Sequence, residues 1–282
     1  LARRAWLVDQ LKSRFPETPV VLLDCGNLSD VPTDAGDIKT RGLVEGMARL
    51  GYAASNVGER DLSRGYAEFL RRTEGAGFPF VSTNIVREDT REPVFPPYVI
   101  VDVPVPDRKD PLRLGILGVV RFNPVFRKPG PDGTRVMIVP PLDAVQRYIG
   151  EVKERSDAVV LLGLLHKDDA KIIAAEIDGL DFILGAYGKI YSTREEVVGS
   201  THVLYVGNMG QRIGESRLSI GGNRDLESST NFIHYLTAKY PVDPEMESFV
   251  NEVRAEAARV NAAQRQASTA PSDRSPERTA NR

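Results

Sequence analysis

Cysteine is almost missing from this chain: Cys25 is the single one in 282 residues, which excludes an intrachain disulfide and a cysteine-ligated zinc site. No haem-attachment Cys-x-x-Cys-His occurs either, so any haem would belong to a partner. No run of 18 apolar residues is present, and the chain as given holds no segment that spans a bilayer as a helix. Charge of one sign is also lacking. The formal net charge is -2, which leaves no global electrostatic footprint for nucleic acid or an anionic membrane. The glycine-rich stretch Gly207 to Gly214 lacks the Gly-Lys-Ser/Thr ending of a P-loop. The first residue is Leu1 and not methionine, which points to processing or trimming upstream and makes the absence of a signal peptide uninformative.

What is present is the composition of a globular protein, 41% hydrophobic and 27% charged, with length enough to bury a substantial core. Apolar residues at helical spacing predict helices over Ala2 to Phe15, Arg41 to Leu50, Tyr66 to Thr73, Leu142 to Arg155 and Asp168 to Ile177, with a last one from Pro244 to about Ala263. Between them lie short β-branched runs that predict strands, at Val20 to Leu23, Ala53 to Val57, Phe80 to Thr83, Ala158 to Leu162, Phe182 to Leu184 and Val203 to Val206. β-rich stretches at Tyr98 to Val103, Leu112 to Val119 and Glu215 to Ile220 complete the set, while segments 104–111 and 121–135 read as loops. Helices between apolar strands give an α/β fold with helices on both faces of the sheets. The expected organisation is one domain over residues 1–222, a linker and C-terminal helix over 223–263, and a polar tail over 264–282 with no apolar period to bury.

The strand Val20 to Leu23 ends in Asp24-Cys25-Gly26-Asn27, and the next strand ends near Gly58-Glu59-Arg60-Asp61. Carboxyl ends of strands are where α/β sheets place their chemistry. An ordinary strand-to-loop turn is the simpler account of Asp24 and Asn27, because Asx residues favour such turns. Glu59, Arg60 and Asp61 read either as a solvated charge cluster or as an ion-pair network. Cys25 reads as a small buried residue, since no histidine is placed to activate it. Of the three histidines, His166 reads as a loop residue, His202 as solvent-facing and His234 as part of the linker.

Seven segments, in order, resemble the metallophosphatase domain of the 5′-nucleotidase family within the calcineurin-like phosphoesterases. They are Leu1 to Ala5, Val20 to Leu28, Gly42 to Asp61, Phe78 to Val86, Leu112 to Val119, Asp157 to Gly185 and Val203 to Leu218. The resemblance implies a layered α/β/β/α sandwich and, in the family, two divalent metal ions that activate a hydroxide for attack on phosphorus. Carried over residue by residue, it falls on changed chemistry. The metal-bridging aspartate of Gly-Asp is Asn27. In Gly-Asn-His-Glu the asparagine ligand is Glu59, the catalytic histidine is Arg60 and the last carboxylate is Asp61. The Ser-His at the end of a later strand is Gly163-Leu164, and Gly-His-x-His is Ala186-Tyr187-Gly188-Lys189. The family's opening Asp-x-His would lie upstream of Leu1.

Arg60 cannot give up a proton at neutral pH, leucine ligates nothing, and lysine sets a positive charge against a metal. No catalytic residue is therefore expected and no cofactor. Asn27, Glu59 and Asp61 are the weak metal candidates, and Arg60 with Lys189 are the candidates for binding an anion. Arg60 and Lys189 converging on Glu59 and Asp61 would replace the metals' charge, and Tyr187 would fill space a histidine vacated. The reading that follows is a catalytically impaired or inactive metallophosphatase-like domain, a pseudoenzyme, serving a binding or structural role in a larger protein or complex. The resemblance adds two expectations: a protein partner, a cytochrome among the candidates, and an exported location, periplasmic or extracellular. The competing reading is a phosphoester hydrolase of 5′-nucleotidase type with a reduced or rebuilt metal site.

Overall fold

A computed structural model describes residues 1–106, 108–129, 133, 135–221 and 226–269. The chain begins with α1 (Ala2–Arg14), then alternates β1 (Leu22–Asp24), α2 (Asp34–Leu50), β2 (Tyr52–Asn56), α3 (Tyr66–Thr73) and β3 (Phe80–Val81). The three strands form a parallel sheet in the order β1-β2-β3. Helix α2 starts earlier than its apolar period suggests. Thr33 accepts the amide of Gly36 at 3.1 Å through its hydroxyl, and Asp34 and Asp37 complement the N-terminal dipole. Gly51, left-handed at φ 80°, ends it.

The middle of the chain contributes β4 (Ile85–Arg87), β5 (Tyr98–Val103), β6 (Leu112–Val120), β7 (Arg127–Pro129), β8 (Arg135–Ile138) and α4 (Pro141–Arg155). Next come β9 (Ala158–Leu164), α5 (Lys167–Glu176), β10 (Phe182–Gly185), β11 (Glu196–Val198) and β12 (Thr201–Tyr205). The chain closes with β13 (Arg212–Ile220), β14 (Leu226–Tyr235) and α6 (Pro244–Thr269). A six-stranded sheet in the order β11-β12-β10-β9-β6-β5 is parallel across β12, β10, β9 and β6. Every residue of β9 is buried, as a central parallel strand covered on both faces requires.

Two apolar layers sandwich that sheet. One packs Val119, Leu161 and Ile183 against Val145 and Val152 of α4 and Ile173 of α5. The other packs Ile116, Val160, Leu162 and Phe182 against Ala54 and Val81 of the first sheet. Beyond the first sheet lie α1, α2 and α6, joined through Met246, Phe249, Ala257 and Val253. The order helices, sheet, sheet, helices is the expected α/β/β/α sandwich. The apolar stripe of α6 thus packs on its own domain.

Three local readings change. The loop 121–135 contains β7, paired with β8. The linker contains β14, paired with β13 from Arg212↔Tyr235 to Ile220↔Leu226; Ser228, Ser229, Thr230 and Asn231 give it no apolar run to count. Helix α6 continues past Ala263 to Thr269, with the Gln264 amide donating to Asp34 at 2.6 Å. Residues 270–282 of the expected tail lie outside the described residues.

Candidate functional site

The carboxyl ends of β1, β2, β6 and β9 meet at Asn56. This fully buried side chain donates from Nδ2 to the carbonyls of Cys25, Val119 and Leu162 at 3.1, 2.9 and 3.3 Å, tying the two sheets together. Beside it the chain turns through Gly26 at φ 93°, where a Cβ would stand 2.8 Å from the Asn56 carbonyl oxygen. Asn27 follows in the left-handed region at φ 59°.

Asp61 holds that turn. Its wholly buried carboxylate accepts the amides of Asn27, Ser29 and Gly58 at 2.8, 2.9 and 2.8 Å, clamping the loop after β1 to the loop after β2. Burial pushes this carboxyl up, and the backbone donors of Gly58, Ser29 and Asn27 oppose that push. In return Asn27 Oδ1 accepts the Arg60 amide at 2.9 Å. Nothing larger than glycine fits at position 58. A Cβ there would lie 2.1 Å from Asn27 Oδ1 and 2.5 Å from Leu164 Cδ1.

Beside these loops opens a cavity of about 1890 Å³ whose lining includes Asn27, Glu59, Arg60, Arg121, Asn123 and Tyr187. The Glu59 carboxylate accepts from Asn123 Nδ2 at 3.2 and 3.3 Å. Arg60 donates from Nη2 to the Ser29 carbonyl at 3.1 Å. Arg121 Nη1 lies 3.4 Å from His166 Nε2, and the His166 ring packs 4.1 Å from that of Tyr187. Among the described residues, neither Arg60 nor Arg121 has a carboxylate within ion-pair distance, so the cavity lining carries two guanidinium groups without an ion pair.

No family model matches the chain. It is 27% identical over 209 residues to a 2′,3′-cyclic-nucleotide 2′-phosphodiesterase/3′-nucleotidase of Yersinia enterocolitica, covering 65% of this chain and 31% of that one. It is 25% identical over 171 residues to a 5′-nucleotidase of Vibrio cholerae, covering 59% and 29%. Its fold superposes on a calcineurin-like phosphoesterase of Bacillus subtilis with a TM-score of 0.74 at 18% identity, over 92% of this chain and 90% of that one. These likenesses support a relationship to the metallophosphatases of 5′-nucleotidase type. The chain spans about a third of the length of the curated relatives it matches.

Among the described residues the donor set does not fit the two divalent metals that the resemblance implies. Asn27 Oδ1 is taken by the Arg60 amide, and Glu59 is engaged by Asn123. Leu164 is buried in one apolar cluster with Val57 and Val120, so the place where the resemblance expects a ligand is filled with hydrocarbon. Asp61 turns both carboxylate oxygens to backbone amides. Among the described residues no three His, Cys, Asp or Glu side chains converge.

The ion-pair network expected from the sequence does not form. Arg60 reaches a backbone carbonyl, Asp61 reaches backbone amides, and Lys189 lies in the turn after Tyr187 without lining the cavity. Arg60 and Lys189 are thus not brought together, whereas Arg121 and Asn123 are, on the loop that follows β6. The rule that strand carboxyl ends carry chemistry pointed at that loop, but its proline and glycine content obscured it. His202 is not solvent-facing: it sits in β12, stacked on Phe182 and 2.9 Å from Glu195 through Nδ1. His234 belongs to β14, with Nε2 2.6 Å from Glu215.

Proposed function

We propose that this metallophosphatase domain is impaired in or has lost phosphoester hydrolysis and serves as a binding or structural module of a larger protein or assembly, outside the cytoplasm. The observation that carries this reading is the closure of the ligand positions by Asn27, Arg60 and Leu164, two committed to packing or backbone bonds and one a fixed cation. A cation in place of a metal still attracts an anion. Arg60 and Arg121, both lining the cavity and without a carboxylate partner among the described residues, suit a phosphate group without supplying a proton or a nucleophile.

Metal analysis by mass spectrometry beside a phosphatase assay in added manganese and zinc tests the reading. Substoichiometric metal and no turnover of nucleotides or 2′,3′-cyclic nucleotides are expected; two tightly bound metals with turnover would overturn it. Titration with inorganic phosphate is expected to show binding that falls at least about tenfold in Arg60→Ala and in Arg121→Ala, the loss of a charge-assisted contact. The second reading is a phosphoester hydrolase with a site rebuilt around Asn27, Glu59 and Asp61, favoured by the sequence identity to nucleotidases. It predicts turnover abolished by Glu59→Gln.

A further inference from the structure

Arg212 opens β13 directly after the turn of Gly207, Asn208, Met209 and Gly210, and its hydrogen bonding is incomplete. The guanidinium lies over two rings, with Cζ 4.3 Å from the centroid of Tyr191 and 5.1 Å from that of Tyr235, and the rings meet edge to face at 5.8 Å. Aromatic faces balance part of a cation's charge, but its in-plane N–H groups still need acceptors. Nε is buried and has none, and among the described residues no carboxylate lies within ion-pair distance. Buried donors in native proteins are nearly always paired, so an unpaired one on a cation is what an anionic ligand satisfies.

Arg4 of α1 reaches the other end of the same turn. Its Nη2 lies 2.8 Å from where a Cβ on Gly210 would stand, and Arg212 Nη1 lies 2.7 Å from the corresponding point on Gly207. Arg4 donates from Nη1 to the Tyr52 hydroxyl at 2.7 Å, and its Nε too is buried without an acceptor. Asp24, whose charge Arg4 favours, lies beyond ion-pair distance, and burial pushes its carboxyl up. Both guanidinium groups and the turn between them line the cavity that also holds Arg60 and Arg121.

We propose that Arg212, with Arg4 at the far end of the same turn, binds the carboxylate or phosphate group of a small ligand in a subsite distinct from Arg60 and Arg121. A guanidinium offers two parallel N–H donors that match two oxygens of either group. The lack of a side chain at Gly207 and Gly210 keeps the space beside both cations clear. Tyr191 is 38% and Tyr235 43% exposed, so the rings that hold Arg212 stand open to solvent. The subsite stands whether or not the protein turns over a phosphoester.

Arginine labelling with methylglyoxal, read residue by residue by peptide mass spectrometry on the unaltered chain, tests this. Saturating inorganic phosphate or acetate is expected to slow labelling of Arg212 and Arg4 at least about tenfold, while chloride at the same ionic strength does not and the exposed Arg155 is unaffected. Protection by acetate alone assigns the subsite to a carboxylate, and protection by phosphate alone assigns it to a phosphate. Isothermal titration with the protecting anion in an Arg60→Ala/Arg121→Ala background is expected to show binding that weakens at least about tenfold in Arg212→Lys, because an ammonium cannot present two parallel donors. A guanidinium that served only to pin the two tyrosines would leave no saturable protection. Labelling of Arg212 unchanged by either anion, equal protection by chloride, or an Arg212 that stays unlabelled with no anion present would overturn the proposal, and none of these readings requires a variant to fold. Protection of Arg60 and Arg121 is read in the same experiment and bears on the candidate site alone, so the two proposals can fail separately.

Discussion

Gly58 has no room for a methyl group, and that fact ties the turn at Asn27 to the packing of Leu164. Gly58→Ala is expected to lower stability by about 1–3 kcal/mol through overpacking, measured by urea denaturation. Asp61→Ala strips the acceptor from the amides of Asn27, Ser29 and Gly58. Leaving buried donors unpaired costs about 1–3 kcal/mol each, so a loss of about 3 kcal/mol or more is expected, and Asp61→Asn should lose less because one acceptor oxygen remains. Cys25 donates its thiol to the Leu184 carbonyl at 3.2 Å, and burial, then the neighbouring Asp24 charge, push its pKa up. The reactive form is the thiolate, so raising the pKa lowers its population at any pH below it. Native protein at pH 8 should therefore react with iodoacetamide far more slowly than the urea-unfolded chain, and the native rate should still be climbing at pH 9.

Between elements, α3 is joined to α2 by a buried ion pair. Arg72 Nη1 lies 3.3 Å from Asp37 Oδ1, and the same guanidinium donates from Nη2 to the Asp61 carbonyl at 2.8 Å. The helix that packs behind the candidate site thus also positions the loop that carries Asp61. Arg72→Ala leaves Asp37 with Arg64 at 3.2 Å and removes the donor to the Asp61 carbonyl, and is expected to cost about 1–3 kcal/mol in denaturant unfolding, with the Arg72→Ala/Asp37→Ala double variant costing less than the sum of the two singles. Helices α3 and α4 were legible in the sequence nearly to the residue, because their apolar spacing and flanking breakers agree. Strand β14 was not: its register is set by pairing with β13, a contact between segments that no local pattern of serine and threonine announces. Helix α6 overran its expected end for a similar reason, since Gln264 finds its partner Asp34 far away in the chain.

At the scale of the whole molecule, the two sheets face each other across an apolar layer and meet at Asn56. Dialysis against a chelator is expected to leave the thermal midpoint unchanged to within about a degree, whereas a drop of several degrees would show a metal contributing to the fold. Inorganic phosphate at about a hundred times its Kd should stabilise the protein by about 2.7 kcal/mol, and less in Arg121→Ala. The sequence by itself determined the layered α/β order and which residues stand where the resemblance places the motifs, because periodicity and residue identity are local. Only the tertiary structure decided what those altered residues do. Whether Asn27, Arg60 and Asp61 face a ligand or one another depends on which loops β1, β2, β6 and β9 bring to a common edge. Here Asp61 accepts three backbone amides and Arg60 donates to the Ser29 carbonyl, a division of partners fixed by distances that only the packed sheets create.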